Sequence, residues 1–177
     1  LMAAKKEVRE LADNGGSSIK ILTLLLRLRQ ICCHPALFDE AYKKDSGKLI
    51  LLEELLNSAT SQGHRVLVFS QFTSMLTIIR KRLAENNTDC FYIDGKTPSD
   101  MRTALAEKFN AGEKNIFLVS LKAGGTGLNL TGADMVIHYD PWWNPAVMDQ
   151  ASDRAYRIGQ TKAVQVIKLA AKGTIEE

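Results

Sequence analysis

The chain has 177 residues, 45% of them hydrophobic and 24% charged, which is the composition of an ordinary globular protein. Its net charge of +3 permits a local basic surface but is too small to prove a polyanionic partner. No apolar run reaches the roughly 20 residues that cross a bilayer, and the three cysteines form no zinc or disulfide pattern, so the sequence predicts neither a membrane span nor a metal site.

The first third of the chain is predicted to be helical. A short charged helix is expected over 2–13, and a leucine-rich helix begins at Ser17 or Ser18 and ends at about Cys33. Ser46 opens a third helix after a loop. The last five residues resemble the start of another helix, and we expect the chain to be a piece of a longer protein.

Beyond the third helix, short apolar runs alternate with helical segments. Strands are predicted at 65–69, 90–93, 116–119, 135–138 and 164–169, and helices at 73–85, 98–110 and 145–157. Strands separated by helices of this length indicate an α/β fold with a mainly parallel central sheet flanked by helices. We therefore expect a helical extension over 1–45 and an α/β lobe over 46–177.

Polar segments follow these strands, and in open α/β sheets ligands bind at the carboxyl ends of the strands. Gly95-Lys96-Thr97 resembles the end of a phosphate-binding P-loop, but Cys90 occupies the place of the required first glycine. Thr97 followed by Pro98 is also typical of a helix start, with Thr97 as the N-cap. Contact of Lys96 and Thr97 with a nucleic-acid phosphate stays open.

A glycine-rich segment, 120–129, follows the third strand and carries Ser120, Lys122 and Asn129. Its glycines 124, 125 and 127 let backbone N–H groups turn toward an anion, although a tight turn uses similar residues. The spacing is not the dinucleotide fingerprint, because Leu130 stands where the third glycine belongs, and this excludes a nucleotide-binding oxidoreductase of that kind.

Two adjacent tryptophans, Trp142 and Trp143, precede the helix predicted over 145–157. Asn144 and Pro145 are explained as the N-cap and first residue of that helix. Because successive side chains of an extended segment face opposite ways, we expect one indole in the core and the other exposed or in a cleft. An exposed tryptophan beside a nucleic acid stacks on a base or enters a groove.

Gln150, Arg154 and Arg157 follow an i, i+4, i+7 spacing, so on a continuous helix they share one face. Two guanidinium groups on one face suit an oxygen-rich anion such as a triphosphate. A solvated polar face would show the same spacing.

Taken together, these segments resemble the C-terminal RecA-like lobe of Swi/Snf-type translocases in helicase superfamily two. The matching stretches are VLVFSQF (66–72), FYIDGKT (91–97), SLKAGGTGLNLTGADMVIHYDPWWNP (120–145) and QASDRAYRIGQ (150–160). LLRLRQICCHP (25–35) and SGKL (46–49) are similar to the approach to this lobe. Four ordered motifs over nearly the whole chain make the resemblance specific. The residues in and around the last two motifs resemble those of bacterial members.

The resemblance implies a role for each motif. Arg154 and Arg157 would act as arginine fingers on ATP, with Gln150 orienting their surface in the nucleotide site. Gly127 and Asn129 would face the nucleotide. Contacts with DNA would come from Ser70, Gln71, Lys96, Thr97, Ser120, Lys122 and Trp143. Trp142 stands where relatives vary, and we expect it to pack.

The same resemblance implies which partners complete the site. ATP and Mg2+ would be bound mainly by an N-terminal RecA-like lobe of the same parent chain, and the other partner would be double-stranded DNA. We expect this chain alone to be inactive as an ATPase, to need no oligomer, and to act in bacterial cytoplasm, or in the nucleus if it is eukaryotic. The alternatives are a strand-separating helicase lobe and a nucleic-acid-binding α/β module without catalysis.

Overall fold

A computed structural model describes residues 18–124 and 127–177. The elements run in the order α1 (Ser18–Cys33), α2 (Gly47–Ser61), β1 (Val66–Ser70), α3 (Thr73–Glu85), β2 (Phe91–Ile93), α4 (Ser99–Asn110), β3 (Ile116–Ser120), α5 (Leu121–Gly124), β4 (Met135–His138), α6 (Pro145–Ser152) and β5 (Gln165–Lys168). The helix predicted over 2–13 lies outside the described residues, as does Gly125 of the glycine-rich segment.

The five strands form one sheet in the order β2-β3-β1-β4-β5, and every neighbouring pair is parallel. All residues of the central strands β1 and β3 are buried, which explains their continuous apolar runs. The predicted α/β fold with a parallel central sheet is confirmed. Ser70 and Ser120 pair across the carboxyl ends of β1 and β3, so the loops that follow them emerge side by side.

Helices cover both faces of the sheet. Val66 and Val68 of β1 pack on the face covered by α2 and α3, whereas Leu67 and Phe69 pack on the face covered by α4 and α6. Each fully buried aliphatic or aromatic side chain contributes about 1.5–3 kcal/mol to folding, so this two-sided core carries most of the stability. The carboxyl edge of the sheet is left open for the loops.

The carboxyl end of α1 is fixed to the sheet, where β4 ends. The Tyr139 hydroxyl donates to the Cys33 carbonyl at 2.9 Å, and both side chains are buried. Burial raises the pKa of the Cys33 thiol above its ordinary value, so this cysteine stays an uncharged core residue. Among the described residues, no helix is long and apolar enough to cross a membrane.

The helix predicted over 145–157 is too long, because α6 ends at Ser152. After that residue the backbone tightens into turns, in which Ala155 N donates to Ser152 O at 3.0 Å. The carbonyl of Arg154 accepts a hydrogen bond from Leu130 N at 3.0 Å. It therefore binds the neighbouring loop and not the N–H group of a further helical turn. Gln150, Arg154 and Arg157 therefore do not share one helix face.

Candidate functional site

A groove of about 530 Å³ lies at the carboxyl edge of the sheet. It brings together four of the predicted DNA-contacting residues, namely Gln71, Lys96, Ser120 and Lys122. Three hydroxyl-bearing residues from the first turns of α3 also line the groove, namely Thr73, Ser74 and Thr77. Two cationic side chains among amide and hydroxyl groups form a surface that suits phosphate oxygens.

Asp94, which sequence reasoning missed, shapes the loop that carries Lys96. Its carboxylate accepts hydrogen bonds from Lys96 N at 2.8 Å, Thr97 N at 3.1 Å and the Tyr92 hydroxyl at 2.9 Å. Burial acts to raise the pKa of Asp94, but these hydrogen bonds outweigh it and hold the pKa below its usual value. The available signal in the sequence was an Asp at the start of a turn, since the Asp side chain binds the backbone N–H group two residues further on.

Thr97 is not the N-cap that its sequence context predicts. The N-cap of α4 is Pro98, which has no side chain to bond the helix, and the Thr97 hydroxyl accepts a hydrogen bond from Asp94 N at 3.1 Å instead. Thr97 is half-buried, so it supports the loop while Lys96 beside it is exposed.

Ser70 and Ser120 are buried, with 0% and 1% of their surface exposed. The Ser70 hydroxyl accepts from Phe72 N at 3.1 Å, and the Ser120 hydroxyl accepts from Ala123 N at 3.2 Å. The Ser70 hydroxyl therefore organises the loop after β1, and the Ser120 hydroxyl organises the first turn of α5. The geometry favours this supporting role over a direct phosphate contact for both serines.

The two tryptophans do not face opposite ways. Their ring centroids lie 5.0 Å apart, and Trp143 is 63% exposed while Trp142 is half-buried. The guanidinium of Arg29 from α1 lies 4.7 Å from the Trp142 ring centroid and 5.2 Å from that of Trp143. Trp142 is therefore half-buried, and it packs against the buried Arg29 and the neighbouring indole.

Arg157 is exposed, and its guanidinium donates to the Gly127 carbonyl at 3.0 Å. Gly127 has a φ of +74°, a conformation that glycine adopts without strain. One predicted finger therefore lies against one predicted nucleotide-facing residue. Asn129 is exposed in the same loop, and its carbonyl accepts from the Asn110 side chain at 3.0 Å.

Arg154 is 4% exposed, so the alternative of a solvated polar face does not hold for this arginine. Burial lowers the pKa of Arg154, and the nearby charge of Arg157 lowers it further. Its Nε has no hydrogen-bond partner among the described residues. A buried guanidinium that faces like charge gains from an anion placed between the two arginines. Gln150 is exposed on α6, whereas both arginines follow the end of that helix.

Gln160 fixes the segment that carries both arginines, a role that sequence reasoning missed. Its Nε2 approaches the carbonyls of Thr131 and Ala133, at 3.1 and 2.7 Å, and its Oε1 accepts from Lys162 N at 2.9 Å. The turn after α6 is thereby attached to the loop before β4. Its position at the end of the QASDRAYRIGQ stretch was the only signal in the sequence.

Two buried titratable groups lie beside the site, at the end of β4. Burial raises the pKa of Asp140 to about 6, although Ser70, Gln71 N–H and the charge of Arg29 act to lower it. Burial lowers the pKa of His138 to about 4, so this imidazole is neutral at physiological pH. Its Nε2 lies 2.9 Å from the Ser152 hydroxyl, which ties β4 to α6.

The parallel sheet, with its polar loops collected at one edge, is the architecture of a helicase-type α/β lobe, and residues 47–159 match the helicase conserved C-terminal domain family. The chain is 45% identical over 163 residues to the putative ATP-dependent helicase/translocase YwqA of Bacillus subtilis. It is 42% identical over 186 residues to the SWI/SNF-related matrix-associated actin-dependent regulator of chromatin subfamily A member 1 of Homo sapiens. These matches cover 89% and 97% of the chain but only 18% of each relative.

Two solved structures have the same fold. The Sulfolobus solfataricus SWI2/SNF2 ATPase core in complex with dsDNA aligns with a TM-score of 0.80 and 38% identity, over 99% of this chain and 39% of that one. The C-terminal part of the Fun30 ATPase domain aligns with a TM-score of 0.71 and 36% identity, over 85% of this chain and 51% of that one. The chain therefore belongs to the helicase conserved C-terminal domain family, in the branch of the SWI/SNF-related ATPases.

Proposed function

We propose that this chain is the C-terminal motor lobe of an ATP-dependent translocase that acts on double-stranded DNA. The observation that carries the proposal is the groove of about 530 Å³, which collects Gln71, Lys96 and Lys122 at one edge of the sheet. Lys122 lies in α5, only five residues before Gly127, whose carbonyl accepts a hydrogen bond from Arg157. A single segment thus connects the proposed DNA surface to the proposed nucleotide surface.

The proposed grip on DNA is through phosphates. Lys96 and Lys122 are exposed cations in the groove, and lysine binds phosphate as a point charge without reading bases. Such contacts do not depend on sequence and weaken with salt, as a motor that steps along any duplex requires. The solved relative that aligns over 99% of the chain is in complex with double-stranded DNA, which supports the same partner here.

The proposed nucleotide site is shared between two lobes. Arg157, and Arg154 behind it, would approach the phosphates of an ATP molecule held by an N-terminal RecA-like lobe, which would also hold Mg2+. Arginines in this position stabilise charge that develops in phosphoryl transfer and contribute on the order of 10³–10⁵ in rate. The Nε of Arg154 is buried and has no hydrogen-bond partner among the described residues, which supports a role for this side chain beside an anion.

The proposal has consequences for the whole protein. This chain alone would not hydrolyse ATP, and the parent would close and reopen its lobes to pull duplex DNA past them without separating its strands. The helical extension over 1–45 would join the two lobes, and 46–177 would form the motor lobe itself. No oligomer is required, and the lobe would act on DNA in bacterial cytoplasm, or in the nucleus of a eukaryote.

Duplex binding and ATP hydrolysis by this chain test the proposal directly. Fluorescence anisotropy with two unrelated duplex sequences should give similar, salt-sensitive affinities, because phosphates carry the contact. A phosphate-release assay on the same preparation should show no hydrolysis with or without DNA. Strong preference for one sequence, or measurable turnover by the pure chain, would contradict the proposal.

A further inference from the structure

Arg29 makes an unusual set of contacts for a residue outside the proposed site. It belongs to α1, yet only 5% of its surface is exposed, because it is packed against loops at the carboxyl edge of the sheet. Its guanidinium lies over both indoles, 4.7 Å from the Trp142 centroid and 5.2 Å from the Trp143 centroid. Cation–π contacts of a desolvated arginine are among the stronger ones of this type, and here one cation serves two rings.

The edges of the same guanidinium bind two separate loops. One NH2 group donates to the Pro141 carbonyl at 2.6 Å, and the other donates to Oε1 of Gln71 at 3.2 Å. Gln71 follows β1, whereas Pro141 follows β4, so Arg29 joins the two loops that flank the proposed DNA surface. The nearby buried carboxyl of Asp140, which accepts from Gln71 N at 3.1 Å, gives this buried cation an acidic neighbour.

The hydrogen bond to Gln71 fixes its side-chain amide beside the proposed DNA surface. Its Oε1 accepts from Arg29, and its Nε2 is buried without a hydrogen-bond partner among the described residues. Gln71 lines both the groove that contains Lys96 and a second groove of about 500 Å³ that contains Trp142, and Lys122 lines both as well. Arg29 therefore fixes a side chain that both grooves share, next to an exposed lysine that suits a phosphate oxygen.

We propose that Arg29 is a positioning residue, which holds Trp143 exposed toward the DNA and fixes the Gln71 side chain that lines both grooves. The proposal rests on the proposed function, because it assumes that this edge binds duplex DNA. Arg29 itself contacts no DNA. Lysine cannot replace it, since an ammonium group lacks the planar face for two rings and the fork for two acceptors.

Intrinsic fluorescence isolates this cluster, because Trp142 and Trp143 are the two tryptophans of the chain. We expect Arg29→Lys to shift the emission of the free protein and to increase quenching by acrylamide. Arg27→Lys on the same helix is the matched control, because Arg27 is exposed and lies beside Phe38, away from the indoles. Thermal unfolding of both variants separates a local change from a loss of the fold.

Duplex binding provides the second readout. Arg29→Lys should weaken binding of a mixed-sequence duplex by about tenfold and reduce the change in tryptophan emission on binding, since a stacked base contributes about this much. Arg27→Lys should leave both unchanged. Wild-type emission, quenching and affinity in Arg29→Lys would overturn the proposal.

Two further measurements keep the outcomes distinct. Time-resolved anisotropy of the unmodified protein should show the indoles tumbling with the whole chain, and a dominant nanosecond motion of the rings would overturn positioning without any variant. If the wild-type chain does not bind duplex DNA, the proposed function fails. The emission and anisotropy of the free protein would then still decide whether Arg29 positions the tryptophans.

Discussion

Replacement of Lys96 and Lys122 by alanine tests the DNA surface most quantitatively. Both side chains are exposed in the same groove, so the double variant removes two proposed phosphate contacts without disturbing the core. The logarithm of the binding constant for duplex DNA falls with the logarithm of salt concentration by about 0.9 for each phosphate that is neutralised. Loss of two contacts should therefore reduce this slope by about 1.8.

The slope translates into an affinity difference that is easy to measure. Between about 50 mM and about 200 mM salt, each phosphate contact accounts for a loss of about 3.5-fold, so two contacts account for about 12-fold. Fluorescence anisotropy titrations of the wild type and of Lys96→Ala/Lys122→Ala over this range should show that difference. The effect should be the same for unrelated duplex sequences, because phosphate contacts read no bases.

Lys81→Ala/Lys108→Ala is the matched control, since it removes the same net charge from exposed positions outside the groove. Lys81 and Lys108 lie near the carboxyl-terminal ends of α3 and α4, each about 3.9 Å from a glutamate. This variant should retain the wild-type slope. Equal slopes for the two double variants would refute the assignment of the groove, because the effect would then come from net charge alone.

Three further predictions concern stability. His138 is buried with a pKa of about 4, against 6.5 in an unfolded chain, so the unfolded state binds more protons between these pH values. The free energy of unfolding should therefore fall by about 3 kcal/mol as pH falls from 6.5 to 4. Urea unfolding of His138→Gln should lack this loss, and parallel pH profiles of the two proteins would contradict the prediction. Gly132→Ala should destabilise the fold by about 1–3 kcal/mol in the same assay, because an added Cβ would lie 2.8 Å from the Asn110 backbone, and wild-type stability would show that the backbone yields. Lys48→Met should lower the free energy of unfolding by about 3 kcal/mol, because it leaves the buried Glu176 carboxylate unpaired. Lys48→Met/Glu176→Leu should recover much of this loss. No recovery would contradict the prediction, because it would show that the ion pair itself is stabilising.

Elements with strong hydrophobic patterns were predictable from the sequence. The predicted strand over 135–138 and helix over 73–85 have the observed bounds, because apolar periodicity reports burial directly. The convergence of Lys96 and Lys122 on one groove followed from parallel strand topology, which places all carboxyl ends at the same edge.

The details of the site depended on contacts between distant segments. The end of α6 at Ser152 is set by the bond between Leu130 N and the Arg154 carbonyl, which no local propensity contains. Arg29 is 42 residues from Gln71 in sequence, so its contact with that amide had no local signal. The burial of Arg154 likewise depends on how the turn after α6 packs against the loop before β4.

ATP turnover by the full-length protein with Arg157→Ala tests the central claim most directly. DNA-stimulated hydrolysis should fall by about 10³-fold or more, because the transition-state charge loses its guanidinium partner, while ATP binding stays within a few-fold of wild type. Lys81→Ala should retain normal turnover, since its side chain is exposed at the far end of α3. Wild-type turnover in Arg157→Ala would contradict the account of this lobe as the source of an arginine finger.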